Sequence, residues 1–141
     1  MKIFFTVLFL VFSLLPPAFS PVFAKEVVTK TGLKYEDTKP GTGPTASAGK
    51  TVAVHYTGWL YANGKRGKKF DSSLEIKEPL VFKLGSKQVI AGWDEGIQGM
   101  KVGGQRTLII PAALAYGKEG ANGVIPPNAE LIFDVELVGV K

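Results

Sequence analysis

The chain has 141 residues, 45% of them hydrophobic and 21% charged, a formal net charge of +5, one histidine and no cysteine. That is the size and composition of one globular domain with its own core. A disulfide framework is excluded, and one histidine without cysteine cannot assemble an ordinary zinc site, so neither metal nor cofactor is expected. The positive residues are dispersed except for Lys65, Arg66, Lys68 and Lys69 around Gly67. That cluster reads as a solvated hairpin tip, because a nucleic-acid patch would interleave aromatics or present a groove-entering helix.

In chain order, Lys2 is the only charge before Lys25. An apolar run over residues 3–15, then Pro16, Pro17 and Ser20, leads to Val22-Phe23-Ala24, the layout of a secretory signal peptide cleaved near Ala24. The run is too short to span a bilayer, which takes roughly 20 residues. The expectation is therefore a periplasmic or secreted product without a stable membrane anchor. Removing residues 1–24 deletes one lysine and no acid, which lowers the formal charge from +5 to +4.

Residues 25–45 form a charged, threonine-rich arm that can add an edge strand, closing on the turn cluster Pro40-Gly41-Thr42-Gly43-Pro44. Residues 46–141 are the expected domain. Val52, Val54 and Tyr56 alternate with Ala53, His55 and Thr57, which predicts a strand with Tyr56 facing the core. Asn63-Gly64 is a favoured hairpin turn, so this strand returns through a loop to Phe70. Leu80, Phe82 and Leu84 alternate with Val81 and Lys83 as a third strand. Val89, Ile90, Trp93, Ile97 and Met100 fall at helical spacing, weakened by Gly92 and Gly96. Arg106, Leu108 and Ile110 predict a strand stopped by Pro111, residues 111–128 a long loop, and Leu131, Phe133, Val135 and Leu137 the last strand. The fold class is α+β, a twisted antiparallel sheet of about five strands wrapped around one short amphipathic helix.

Catalytic chemistry of the usual kinds finds little support. Residues 44–51 nearly spell a phosphate loop but lack its first glycine and lead into a strand instead of a helix. His55 is placed on the outer face, where a structural role fits. Ser72 and Ser73 lack the strained elbow of a hydrolase nucleophile. What recurs is an aromatic or branched apolar side chain beside one polar group, and buried hydroxyls or carboxylates must find hydrogen bonds. An aromatic cavity with few converging polar groups is the anatomy of a ligand site.

Six words occur in fixed order: His55-Tyr56-Thr57-Gly58, Phe70-Asp71-Ser72-Ser73, Val89-Ile90-Ala91-Gly92-Trp93, Ala115-Tyr116-Gly117, Ile125-Pro126-Pro127 and Phe133-Asp134-Val135-Glu136-Leu137. Together they resemble the FKBP-type peptidyl-prolyl cis-trans isomerases, from about Gly32 through Val140. The resemblance implies rotation about X-Pro bonds in exported proteins, with no covalent or acid-base step. It implies catalytic positions at Tyr56, Asp71, Ile90 (through its backbone N–H) and Tyr116. Substrate-binding positions are implied at Phe70, Phe82, Val89, Trp93, Ile125 and Phe133, with the Trp93 indole as floor and Asp71 held through the Tyr56 hydroxyl. The implied partners are proline-containing polypeptides and macrolide immunosuppressant-type ligands. A monomer is expected, because the chain lacks the helical N-terminal segment by which some relatives dimerise.

Three positions depart from the family pattern. Ile76 stands where a basic partner for Asp71 is common, Leu80 where an aromatic residue often forms a wall, and residues 120–124 lack a histidine found in some members. The alternative reading, from another class, is a non-catalytic peptide-binding module or holdase that keeps the same pocket.

Overall fold

The alternation that begins at Thr51 does not stop at Gly58. A computed structural model, which describes residues 25–141, carries the strand through to Ala62. The proposed signal peptide lies outside the described residues. Asn63 (φ 55°) and Gly64 (φ 72°) make a two-residue turn in the left-handed region, the geometry that Asn-Gly favours and that matches strand twist. The chain then returns directly as a strand, with Ala62 opposite Lys65.

Among the described residues the strands in chain order are β1 (Val27–Val28), β2 (Lys34–Lys39), β3 (Thr51–Ala62), β4 (Lys65–Ser72), β5 (Leu80–Lys83), β6 (Gln105–Ile110) and β7 (Glu130–Val140), with one α-helix, α1 (Ala91–Gly96). They form one antiparallel sheet in the order β1-β2-β6-β7-β3-β4, with β5 also paired to β3. The α+β architecture agrees with the expectation, but among the described residues the strands number seven instead of about five. The arm contributes two of them, and β2 pairs with β6 from Lys34↔Ile109 to Lys39↔Gln105.

β3 organises the site. β7 runs along one side of it from Val52↔Val140 to Tyr61↔Glu130. On the other side β5 covers its first half, ending at Val54↔Leu80, and β4 its second half, beginning at Thr57↔Ser72. Tyr56 therefore stands at a gap between β4 and β5, where residues 73–79 leave the sheet.

The helix is shorter than the apolar spacing suggests. Ile90 is extended (ψ 149°), and its carbonyl accepts the N–H of Trp93 at 2.9 Å and of Asp94 at 3.2 Å, so the helix starts only at Ala91. Gly92 and Gly96 allow it to lie against β6. A Cβ at Gly92 would stand 2.5 Å from Ile110, and one at Gly96 2.8 Å from Leu108. Beyond the helix, the Arg106 guanidinium donates to the carbonyls of Gly96 at 2.9 Å and Gln98 at 3.0 Å, and to both oxygens of Asp37. A buried cation thus makes four hydrogen bonds, two of them to carbonyls that the helix leaves open. The core between helix and sheet holds Val52, Val54, Trp93, Ile97, Leu108, Ile110, Leu131, Val135 and Leu137. No helix among the described residues is long and apolar enough to cross a membrane.

Candidate active site

Trp93 is only 4% exposed, yet one side of it lines a cavity of about 180 Å³. Tyr56 meets it edge-on at 4.8 Å between ring centroids and Phe133 at 5.3 Å, and Phe70 in turn meets Phe133 edge-on at 5.5 Å. These are the arrangements aromatic quadrupoles prefer. Trp93 Nε1 is buried without a hydrogen-bond partner, a measure of how apolar its surroundings are. The structure brings Tyr56, Phe70, Asp71, Val89, Ile90, Trp93, Tyr116 and Phe133 together around this one space.

Phe70 and Asp71 are adjacent in a strand, where alternation would send one of them to the opposite face. A bulge resolves the conflict. Gly58 pairs with Asp71 and Trp59 with Lys69, so Phe70 is the extra, unpaired residue. Gly58 makes room for the rings, since a Cβ there would stand 2.6 Å from Phe133 and 2.8 Å from Phe70.

The polar edge is a phenol–carboxylate pair, in which the Tyr56 hydroxyl donates to Asp71 Oδ2 at 2.6 Å. Burial, then the Asp71 hydrogen bond and charge, then Tyr116, push the Tyr56 hydroxyl well above the usual tyrosine range. Burial and the Asp71 charge raise Tyr116 in the same direction. Both hydroxyls therefore stay protonated donors at neutral pH. Ile76 is 69% exposed, and among the described residues no cation forms a salt bridge to Asp71.

Ser72 and Ser73 have a role that sequence reasoning missed, which is to fix the Tyr56 backbone. Ser73 N–H donates to the Tyr56 carbonyl at 3.0 Å, and Ser73 Oγ accepts the Tyr56 N–H at 2.8 Å. His55 Nδ1 lies 2.9 Å from the same Oγ, which ties the outer-face histidine into this clamp.

The rim holds Leu80, at the position noted for its missing aromatic ring, and Gln88, which the sequence did not single out. Phe82 and Ile125 do not line the cavity. Phe82 is buried behind Trp93 at 5.9 Å between centroids. Ile125 is buried where a return loop pairs it with Ala121 through two 2.9 Å hydrogen bonds. The N–H of Ile90 is used by no hydrogen bond among the described residues, although its carbonyl caps the helix.

A larger groove of about 340 Å³ runs over the outer face past His55, Arg66, Thr107 and Asp134. Its main ionic groups satisfy each other: Arg66 forks onto Asp134 at 2.9 and 2.8 Å, and Thr107 donates to the same carboxylate at 2.8 Å. The cavity over Trp93, smaller but aromatic with unspent donors at its rim, has the features of a site for an apolar imide or peptide.

Residues 43–138 match the family model described as FKBP-type peptidyl-prolyl cis-trans isomerase. An FK506-binding protein of Neisseria meningitidis serogroup B is 56% identical over 109 residues, covering 77% of this chain and 96% of the relative. The solved structure of AtFKBP13 superposes with a TM-score of 0.74 at 41% identity, covering 83% of this chain and 99% of that one. The structure of FkpA from Escherichia coli gives 0.73 at 45% identity, covering 82% of this chain and 51% of that one, so this chain spans about half of it. The fold and the aromatic pocket are those of a prolyl isomerase. The chain belongs to the FKBP-type peptidyl-prolyl cis-trans isomerase family.

Proposed function

We propose that the cavity over Trp93 receives the proline ring of an extended polypeptide and accelerates rotation about the preceding bond by positioning and desolvation. The observation that carries this reading is the contrast within the cavity. Trp93, Phe70, Phe133, Val89 and Leu80 form apolar surfaces, while the rim offers the unspent Ile90 N–H, the Tyr116 hydroxyl and the Tyr56–Asp71 pair.

Rotation must overcome about 18–20 kcal/mol because resonance keeps the amide planar. The planar amide has the larger dipole and loses more on leaving water than the twisted one, so an apolar site with a buried indole floor lowers the gap between them. The Ile90 N–H and Tyr116 hydroxyl orient the chain through substrate carbonyls. With Tyr56 and Tyr116 held protonated, no proton needs to move.

The ligands of this reading are proline-containing polypeptides and FK506-type macrolides, which compete for the same floor. The working form is a monomer, exported and cleaved after Ala24. Mass spectrometry of cell fractions tests the last point: a product starting at Lys25 outside the cytoplasm is expected, and an intact N-terminus in a membrane-bound product would overturn it. For the activity, a protease-coupled assay on the mature chain, with peptides that differ before proline, should show saturable acceleration blocked by FK506. Peptide binding without acceleration would return the protein to the holdase reading.

A further inference from the structure

The turn that carries Ile90 to the cavity rim is held from outside the cavity. Asp94, in α1, accepts the backbone N–H of Gly85 through Oδ1 at 2.8 Å and that of Lys87 through Oδ2 at 2.9 Å. Both donors belong to left-handed residues, Gly85 at φ 80° and Lys87 at φ 60°. Glycine adopts that region freely, whereas a lysine there is strained and persists only where its surroundings impose it. On the other side of the turn, the Gln88 side-chain oxygen accepts the N–H of Lys83 at the end of β5 at 2.9 Å. The bonds close into a ring, because Ile90, which follows the turn, offers its carbonyl to the N–H of Asp94 itself. Asp94 does not line the cavity, whereas Gln88, Val89 and Ile90 do.

We propose that Asp94 is a positioning residue for the isomerase: by clamping the 85–88 turn it fixes the direction of the Ile90 N–H and of the Gln88 side chain at the rim without touching substrate. This rests on the reading of Ile90 as a rim donor. Charge-assisted bonds to backbone N–H groups are the short, strong kind, and two of them on one carboxylate define the orientation of the turn as well as its distance from the helix.

The test uses the mature chain and its Asp94→Ala, Asp94→Asn and Glu95→Ala variants. The readouts are kcat and KM on a proline-containing peptide anilide, together with backbone amide spectra. Asp94→Ala should lower kcat/KM by about fivefold or more, mainly through KM, because a misdirected rim donor weakens ground state and transition state alike. The amide of Lys87 should shift and exchange faster with solvent, and that of Ile90 should shift. Asp94→Asn keeps one carbonyl acceptor and should fall between wild type and Asp94→Ala. Glu95→Ala, one residue along the same helix, should stay within about twofold of wild type if the effect is specific to the Asp94 clamp. Kinetics near wild type in both Asp94 variants, or an Ile90 amide that does not move, overturn the proposal. If the Asp94→Ala spectrum is disturbed across the whole sheet, the decision passes to Asp94→Asn, whose changes must then be confined to residues 84–90. An inactive wild-type chain would instead overturn the reading of the cavity on which the proposal stands.

Discussion

Tyr56 and Asp71 are joined hydroxyl to carboxylate at 2.6 Å across the bulge at Phe70, and no described cation shares the carboxylate. The polar edge of the pocket is thus built from a hydrogen bond instead of an ion pair. An amide oxygen can accept the same phenolic proton. Asp71→Asn should therefore lower kcat/KM by less than about tenfold, or about 1.4 kcal/mol of transition-state stabilisation. A hundredfold loss in steady-state kinetics would show that the negative charge itself is required.

The same pair gives a signature at alkaline pH. The Tyr56 hydroxyl is raised above the ordinary value near 10 that it has in the unfolded chain. Its contribution is complete below about pH 10 and is lost as pH rises further, because the folded form then holds a proton that the unfolded form has released. Denaturant titrations above about pH 10 should show stability falling less steeply with pH in Tyr56→Phe than in wild type. Equal slopes would mean that the hydroxyl is not shielded. Across neutral pH the two hydroxyls should leave kcat/KM flat.

Trp93 is both core and floor, and its substitution should register twice. Trp93→Leu keeps an apolar residue but loses the edge-on contacts to Tyr56 and Phe133, so it should lower stability by about 2–4 kcal/mol. FK506 affinity should weaken in the fraction still folded. Thermal denaturation and ligand titration on one sample separate the two effects. Unchanged affinity in a destabilised protein would remove Trp93 from the site.

Gly58 tests the packing that opens the cavity. A methyl group there would press on the rings of Phe70 and Phe133, both of which line the cavity. Gly58→Ala should destabilise by about 1–3 kcal/mol and reduce turnover as well. Gly139→Ala, whose added carbon meets Ala53 at an ordinary 3.7 Å, should leave turnover unchanged. Equal turnover in the two variants would refute this account of the cavity.

The residues that form the cavity were legible because aromatic words in a fixed order survive translation into three dimensions; the elements that support it were less so. The edge strand β1 is only two exposed valines, Val28 being 61% exposed, and β2 inside it has one apolar side chain, Tyr35, with Lys34 and Lys39 facing solvent. They gave no clean alternation. The helical period counted Val89 and Ile90, which precede the helix, because spacing does not register where a carbonyl caps a helix. Strand logic cannot place Phe70 and Asp71 on one face without the bulge. Nor can an apolar pattern tell a residue in front of Trp93 from one behind it, the difference between Phe133 and Phe82. Gln88 and Asp94 are polar and act on backbone N–H groups brought near by folding, so no local pattern marks them.

The order of the strands sets a timetable for the chain. β3, near the start of the sheet, lies along β7, the last strand, through Tyr56↔Val135 and its neighbours, and β2 waits for β6. The β3–β4 hairpin is local, but β2 needs the chain as far as Ile110 and the β3–β7 pairing needs nearly all of the polypeptide, and such distant pairings form slowly. A chain threaded unfolded through a membrane, as proposed for this one, benefits from that delay. The β3–β4 hairpin can form early, but the full sheet cannot close during the passage, and the binding site comes into being only when the C-terminal strand brings Phe133.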